Sequence, residues 1–224
     1  ALLADGLPLA RADGSFHGGL FDQLLFSRVE VYRGTMHMAL TPSVLGAVLN
    51  AVAVSAGTTP GGALRFEAGD FGQSRVQLSA TTPSATIAAS HARSRGWREH
   101  SRQERTALSA AARRDLGPTA RLEFSTYLAR AGYDVPGPLA LGEAMGQPRL
   151  ASAAVRRDLP RRDADLARFA VQVKAAPSGG RFAAGIAWLR LRDDFYQLQG
   201  NGETDATSDD FTAHATASRR QMLA

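Results

Sequence analysis

Few residues in this chain are spaced for catalysis. Ala53-Val54-Ser55-Ala56-Gly57 follows an apolar run and has some likeness to a nucleophile elbow, where a serine sits on a sharp strand-to-helix turn. The first glycine of that pattern is missing, and Thr58-Thr59-Pro60-Gly61-Gly62 cannot begin the helix that must follow. The five histidines have no metal-ligand spacing, and there is no cysteine for a thiolate site or a disulfide. Asp193-Asp194 and Asp209-Asp210 flank the run Gly200-Asn201-Gly202-Glu203-Thr204-Asp205. That run is acidic enough for a weak Ca²⁺ site, but the order of an EF-hand loop is absent, and an exposed loop is the plainer reading. No enzyme activity, cofactor or metal centre is therefore expected, and the chemistry of the charged side chains reduces to binding.

Composition narrows the partners. The net charge is +5, and of 26 basic residues only Lys174 is lysine. Such an arginine excess suits nucleic acid when it collects on one face. Here the arginines are scattered, so no nucleic-acid partner is expected. No apolar stretch reaches the length of a membrane-spanning helix, about 18 residues. A membrane β-barrel stays open, because its strands need only about 9–11 residues with every second one facing lipid. No signal peptide opens the chain, so it is expected to be either unexported or a mature or truncated piece.

The elements that position these charges read as strands. Ser27-Arg28-Val29-Glu30-Val31-Tyr32-Arg33-Gly34 alternates, and Leu45-Gly46-Ala47-Val48-Leu49-Asn50-Ala51-Val52 is apolar apart from Asn50. Before them, Asp5-Gly6 is a turn, and Leu7-Pro8-Leu9 is extended but not central in a sheet. Arg11 to Gly19 is a loop, and Leu20 to Phe26 is a short helical turn. A linker is expected at 58–62. From Ala63 onward apolar and polar residues alternate in run after run, which argues antiparallel sheet. Leu64 and Phe66, Val76 and Leu78, Leu122 and Phe124, and Phe169 and Val171 share one parity. Short connections at 81–84, 114–118 and 175–180 alternate with long ones at 94–104, 131–162 and 193–210; the short one at 69–73 breaks the rule. Sorting of this kind marks an outer-membrane barrel.

Three segments then match a family in order and spacing. Asp5-Gly6-Leu7-Pro8-Leu9, Arg28-Val29-Glu30-Val31-Tyr32-Arg33-Gly34 and Gly46-Ala47-Val48-Leu49-Asn50 resemble the second half of the plug of TonB-dependent outer-membrane receptors. Gly96-Trp97-Arg98-Glu99-His100-Ser101 and Asp134-Val135-Pro136-Gly137-Pro138-Leu139 are similar to loop segments of members that take up ferric siderophores. Thr35 replaces the family's usual proline, Leu40-Thr41 its Tyr-Gly, and Ala47 the second glycine of its Gly-Gly. The resemblance implies an all-β fold. Residues 1–60 would be the C-terminal part of a plug, and residues 61–224 about eight antiparallel strands of an incomplete barrel of about 22 strands. The chain would thus be an internal piece, located in the outer membrane of a Gram-negative bacterium.

The resemblance also implies partners and sites. The partners are a ferric siderophore or other metal chelate, outer-membrane lipid, and the TonB complex, the last through a segment absent here. Arg11, Asp13, Ser15 and His17 match the plug loop that meets ligand, where Arg11 and His17 suit an anionic chelate. Arg98, His100, Arg156 and Arg157 in outer loops are further ligand candidates, with Arg161 and Arg162 behind them. Arg28, Glu30 and Arg33 are expected to lock plug to barrel wall, or otherwise to form a plain exposed ion pair. The competing reading is a soluble all-β sandwich, in which Leu64, Phe66, Val76, Leu78, Leu122, Phe124, Phe169 and Val171 are buried in a core.

Overall fold

A computed structural model describes residues 1–11, 14–33, 47–53, 59–177, 180–197 and 202–219. The first strands form a small sheet: β1 (Leu2–Ala4), β2 (Leu7–Pro8), β3 (Phe26–Arg33) and β4 (Ala47–Ala53), in the order β2-β1-β4-β3. Pro8 lies in the edge strand, where a missing N–H breaks no ladder. The turn between β1 and β2 is strapped to β4: Asp5 Oδ1 accepts from the Ala53 N–H at 3.0 Å, and Asn50 Oδ1 from the Gly6 N–H at 2.9 Å. Burial of the Asp5 carboxyl raises its pKa against that hydrogen bond and the charges of Lys174 and Arg168.

The second sheet has eight strands, each paired antiparallel with its neighbours in chain order. They are β5 (Gly61–Gly69), β6 (Gln73–Thr81), β7 (Ala85–Ser94), β8 (Gln103–Asp115), β9 (Ala120–Asp134), β10 (Arg161–Ala175), β11 (Gly180–Tyr196) and β12 (Glu203–Arg219). The expected linker is shorter than its composition suggests. Gly61 and Gly62 already pair with Thr81 and Ala80.

The expected long excursion at 193–210 is also corrected. Asp194 pairs with Asp205 and Tyr196 with Glu203, so only 197–202 connect the strands. Asp193 with Asp194 on one strand and Glu203 to Asp205 on the other put polar residues on both faces, and alternation of hydrophobicity, the signal used to find strands, is lost. In the same way β9 runs on to Asp134 and β10 starts at Arg161, leaving 135–160 as the long connection. That connection carries two short helices, α1 (Leu141–Gly146) and α2 (Ala153–Asp158).

The two faces of the large sheet differ. The small sheet and the segment before β3 pack on one face, through Leu2, Leu9, Leu20, Leu25 and Phe26. This inner face answers with Ala88, Ala107, Ala129, Ala131 and Ala164, together with Tyr127, Leu166 and Leu189. Small residues there let backbone approach closely. The outer face carries the residues that the sandwich reading requires to be buried. Leu64 is 74% exposed and Phe66 69%, and Val76, Leu78, Phe124 and Phe169 are exposed too. Leu122 and Val171 are half-buried. No described element covers them, which removes the sandwich.

The outer apolar band has a defined height. On β10 its outward positions run from Ala167 to Ala175, and on β9 from Ala120 to Leu128, about the length of a tilted membrane strand. Above it lies a register line of Thr106, Arg130, Asp165, Arg192 and Thr207. The same line continues through His91 to Val76 and Phe66, which are apolar. The edge of the band therefore steps across the sheet, as it must if the strands are tilted against it.

One buried cation ties the small sheet to the large one. Arg168, on the inner face of β10, is 1% exposed. Its Nε donates to the Pro8 carbonyl at 2.7 Å, and Nη2 to the Ala4 and Leu7 carbonyls at 3.1 and 3.4 Å. Nη1 donates to Ser125 Oγ at 3.2 Å. Arg168→Met, in the intact protein, is expected to speed amide exchange in Leu2–Leu9 about tenfold to a hundredfold, the effect of buried acceptors left unpaired. Amides of β10 should be unchanged, and equal protection across Leu2–Leu9 would show that Arg168 holds nothing.

Candidate functional site

The tightest polar cluster was not among the expected site residues. Asp22 interrupts the apolar run Leu20–Phe26, between two short 3-10 turns at Gly18–Leu20 and Gln23–Leu25. Its carboxylate is 1% exposed and caps the second turn, accepting from the Leu24 N–H at 3.2 Å. The other oxygen accepts from Ser90 Oγ at 2.7 Å and lies 3.0 Å from Arg105 and 3.7 Å from Arg75. The Tyr127 hydroxyl accepts from the Asp22 N–H and donates to the Leu20 carbonyl, both at 2.8 Å. Gln77 donates to the Leu24 carbonyl at 2.7 Å, and Arg105 to that of Phe21 at 3.0 Å. Strands β6 to β9 thus each contribute one or more ties to a single seven-residue segment, Leu20–Phe26.

The expected lock residues Arg28 and Glu30 are paired within the small sheet. Glu30 accepts from Arg28 Nε at 2.9 Å, Tyr32 Oη at 2.8 Å and Asn50 Nδ2 at 3.0 Å, all within the small sheet. These bonds, that from Asn50 foremost, hold its pKa below the ordinary 4.5. Arg28 and Glu30 look across a hollow of about 480 Å³ toward Glu123 and Lys174 without touching them. Arg33 has no ion pair among the described residues. Among the described residues, ties to the large sheet are made by Asp22, by Arg168 and by Gln172, whose Nε2 donates to the Asp5 carbonyl at 3.3 Å.

The loop before this segment lies against the inner face of the large sheet at Tyr133. The Arg11 carbonyl accepts from the Gly14 N–H at 2.8 Å, and the Ser15 carbonyl from the Arg11 N–H at 2.9 Å, a tight turn. Asp13 lies outside the described residues. His17 Nε2 is 3.3 Å from Tyr133 Oη on β9, and the rings are 5.7 Å apart. Burial and the nearby Arg162 charge lower the His17 pKa, so its ring is neutral at neutral pH. Its Nδ1 is buried without a partner. Beside it Arg162 holds Asp193 through two hydrogen bonds, with its guanidinium 5.5 Å from the centre of the Phe195 ring. The Arg11 guanidinium has no ion pair or side-chain hydrogen bond among the described residues, although its charge contributes to lowering the Asp193 pKa, and Phe16 is exposed near it. One uncommitted cation beside aromatic rings suits an anionic, ring-bearing ligand.

The outer-loop candidates are structural staples. Arg98 donates to the carbonyls of Gly137 at 2.8 Å, Leu150 at 3.0 Å and Pro136 at 3.3 Å. His100 donates from Nε2 to the Pro160 carbonyl at 2.7 Å, with Asp134 3.9 Å from Nδ1. Glu99 accepts from the Ala151 N–H at 3.0 Å and faces Arg156 at 3.8 Å. Gly96, at φ +78, has no room for a Cβ beside Ser101, whose hydroxyl closes this turn on Arg98. Arg157 pairs with its neighbour Asp158, and Arg161 with Asp163. Arg98, His100 and Arg156 thus join the 95–102 and 135–160 connections into one lobe.

Two tests follow. Asp22→Asn leaves two arginines facing a neutral amide, and is expected to destabilise the Leu20–Phe26 segment by about 3–5 kcal/mol in amide exchange of the intact protein. Gln23→Ala, an exposed neighbour, should change it by less than about 0.5 kcal/mol. Glu30 should titrate below 4.5 by carboxyl NMR. Its pKa is depressed, so its contribution is present above 4.5 and lost as pH falls through the lowered value. Asn50→Ala should move that titration upward.

No family profile matches the chain, and no curated protein is similar to it in sequence. Solved structures are similar to it in fold. The siderophore receptor PiuA from Acinetobacter baumannii superposes over 98% of the chain with a TM-score of 0.77 at 12% identity. The ferric citrate transporter FecA, unliganded, superposes over 100% with 0.73 at 15% identity. The ferric-catecholate import receptor Fiu from E. coli K12, in its closed form, superposes over 96% with 0.67 at 13% identity. The chain spans about a third of each: 35%, 36% and 34%. A small mixed sheet held on the inner face of an eight-stranded antiparallel sheet is thus a fold that this chain shares with part of these outer-membrane receptor and transporter structures.

Proposed function

We propose that the protein to which this chain belongs takes up a ferric siderophore or similar metal chelate across the outer membrane of a Gram-negative bacterium, with energy from a TonB complex. The observation that carries the reading is the contrast between the two faces of the large sheet. An apolar outer band of membrane-strand length lies behind an inner face that holds a separate small sheet by buried charge. A water-soluble domain gains nothing from that arrangement. Residues 1–60 then act as the end of the plug and residues 61–224 as wall.

In this reading the chelate settles above the plug. Arg11 supplies the free cation, the Tyr133 hydroxyl a hydrogen bond, and Phe16 and Phe195 apolar contact. Arg162 and Asp193 neutralise each other and fix the floor. The charge on Arg11 recognises the net negative charge of a ferric chelate, and the rings recognise its flat organic arms. The Asp22 and Arg168 ties hold the plug closed until work is done on it from the periplasm. The receptor and transporter structures that share the fold argue for transport rather than for a reaction.

The intact protein should fractionate with outer membranes, and deletion of its gene should lower uptake of one iron chelate. Arg11→Ala and Tyr133→Phe should each weaken binding of that chelate about tenfold, followed by Trp97 fluorescence over a panel of ferric chelates, with unchanged protein in the membrane. Recovery of the protein in the soluble cytosolic fraction would sink the proposal.

A further inference from the structure

The outer face carries a charge arrangement that neither the fold nor transport requires. Arg130 on β9 and Arg192 on β11 lie on the register line directly above the apolar band, and Arg190 lies on the band's topmost line, opposite Ala167. Arg130 and Arg192 stand on either side of one carboxylate, Asp165, which is 3.3 Å from Arg130. Arg192 also lies 3.1 Å from Asp194 and 3.7 Å from Asp205 in the line above. Arg190 has no carboxylate partner among the described residues. Asp209, opposite it, accepts instead from the indole N–H of Trp188 at 3.2 Å. An unpaired guanidinium at the edge of an apolar surface is costly unless an anion meets it there.

The shape below fits an amphiphile. Arg130, Arg190 and Arg192 border a shallow hollow of about 580 Å³ floored by Leu108, Leu128 and Ala167. On the next register lines it adjoins a larger hollow of about 770 Å³ lined by Phe124, Phe169, Trp188 and small side chains such as Ala110 and Ala112. Charged head and apolar groove lie along one strand direction. The acids Asp163, Asp194 and Asp205 close the upper side and repel any anion lying higher. An anion favoured here must therefore sit low, at the edge of the band, where a free phosphate loses water without apolar gain but a lipid phosphate is already placed.

We infer that Arg130, Arg190 and Arg192 bind the phosphorylated headgroup of an outer-leaflet lipid whose acyl chain lies in the groove over Ala110 and Ala112. This rests on the outer-membrane reading. The arginines supply charge-assisted donors, strongest in the bidentate geometry open to a guanidinium, and the groove supplies area for one chain. Bound lipid would fix the height of β9 to β12 in the membrane.

The test uses the intact receptor extracted from outer membranes in mild detergent, with retained phosphorylated lipid counted by native mass spectrometry. Arg190→Ala should lower retention about fivefold, and Ala at all three positions by more. Lysine at the three positions should keep most of it. Dephosphorylated lipid should bind more weakly than the phosphorylated form, and inorganic phosphate at equal concentration should not displace the lipid. Equal retention by wild type and the triple alanine variant would overturn the inference, as would displacement by inorganic phosphate alone. If the variants still reach the outer membrane and take up the chelate, only the lipid site fails. If the wild type never enters the outer membrane, the transport reading fails with it.

Discussion

A carboxylate taken out of water must be given back what water supplied, and Asp22 is given it from four directions. The Leu24 N–H comes from its own turn, Ser90 and two arginines from the wall. Hydrophobic packing alone would leave the Leu20–Phe26 segment free to slide over a wall of alanines, because burial of apolar area has no direction. The buried charge has direction. It sets the depth and rotation of this segment, and β3 follows it immediately in the chain. β3 pairs with β4, β4 with β1, and Arg168 clasps the turn after β1. Asp22 and Arg168 thus pin the two ends of the small sheet to opposite parts of the wall. Everything between them is positioned by ordinary strand pairing.

Much of this fold is legible in the sequence because a sheet with an apolar outer face and a packed inner face writes both into alternate residues. Leu64 with Phe66 and Phe169 with Val171 are found by parity alone. Legibility failed where the wall rises above the apolar band. Asp193 and Asp194 put acids on both faces of one strand, and Glu203, Thr204 and Asp205 put polar residues on both faces of the next, so strands look like a loop. It failed again at the ties. Arg28 and Glu30 have the spacing of a lock, but Tyr32 lies two residues on from Glu30 and Asn50 directly across from it, and these saturate the carboxylate first. Asp22 gave one signal, as the single acid in an apolar run. Arg75 and Gln77 gave another, as polar side chains on the inward parity of a strand. Nothing local joins the two, since the partners are brought together only by folding. The loop staples are of the same kind: Arg98 serves carbonyls of residues far along the chain.

The division of labour between charges is then clear. Buried charges with fixed partners hold the plug. Arg98, His100 and Arg156 hold the outer lobe. Arg11 above the plug and Arg190 outside the wall are left without ion pairs in the described structure, and both face a place where another molecule could lie. Burial separates the holding groups from the free ones better than residue type does, because arginine serves in all four roles.

The alanine lining of the inner face has a mechanical meaning as well. Interfaces that interlock large side chains resist shear as teeth do, since each must deform for its neighbour to pass. Ala88, Ala107, Ala129, Ala131 and Ala164 make a nearly smooth bearing surface instead. Resistance to motion along this wall resides in a few discrete polar catches rather than in continuous friction. Such a contact yields abruptly once its catches let go, and then runs with little drag.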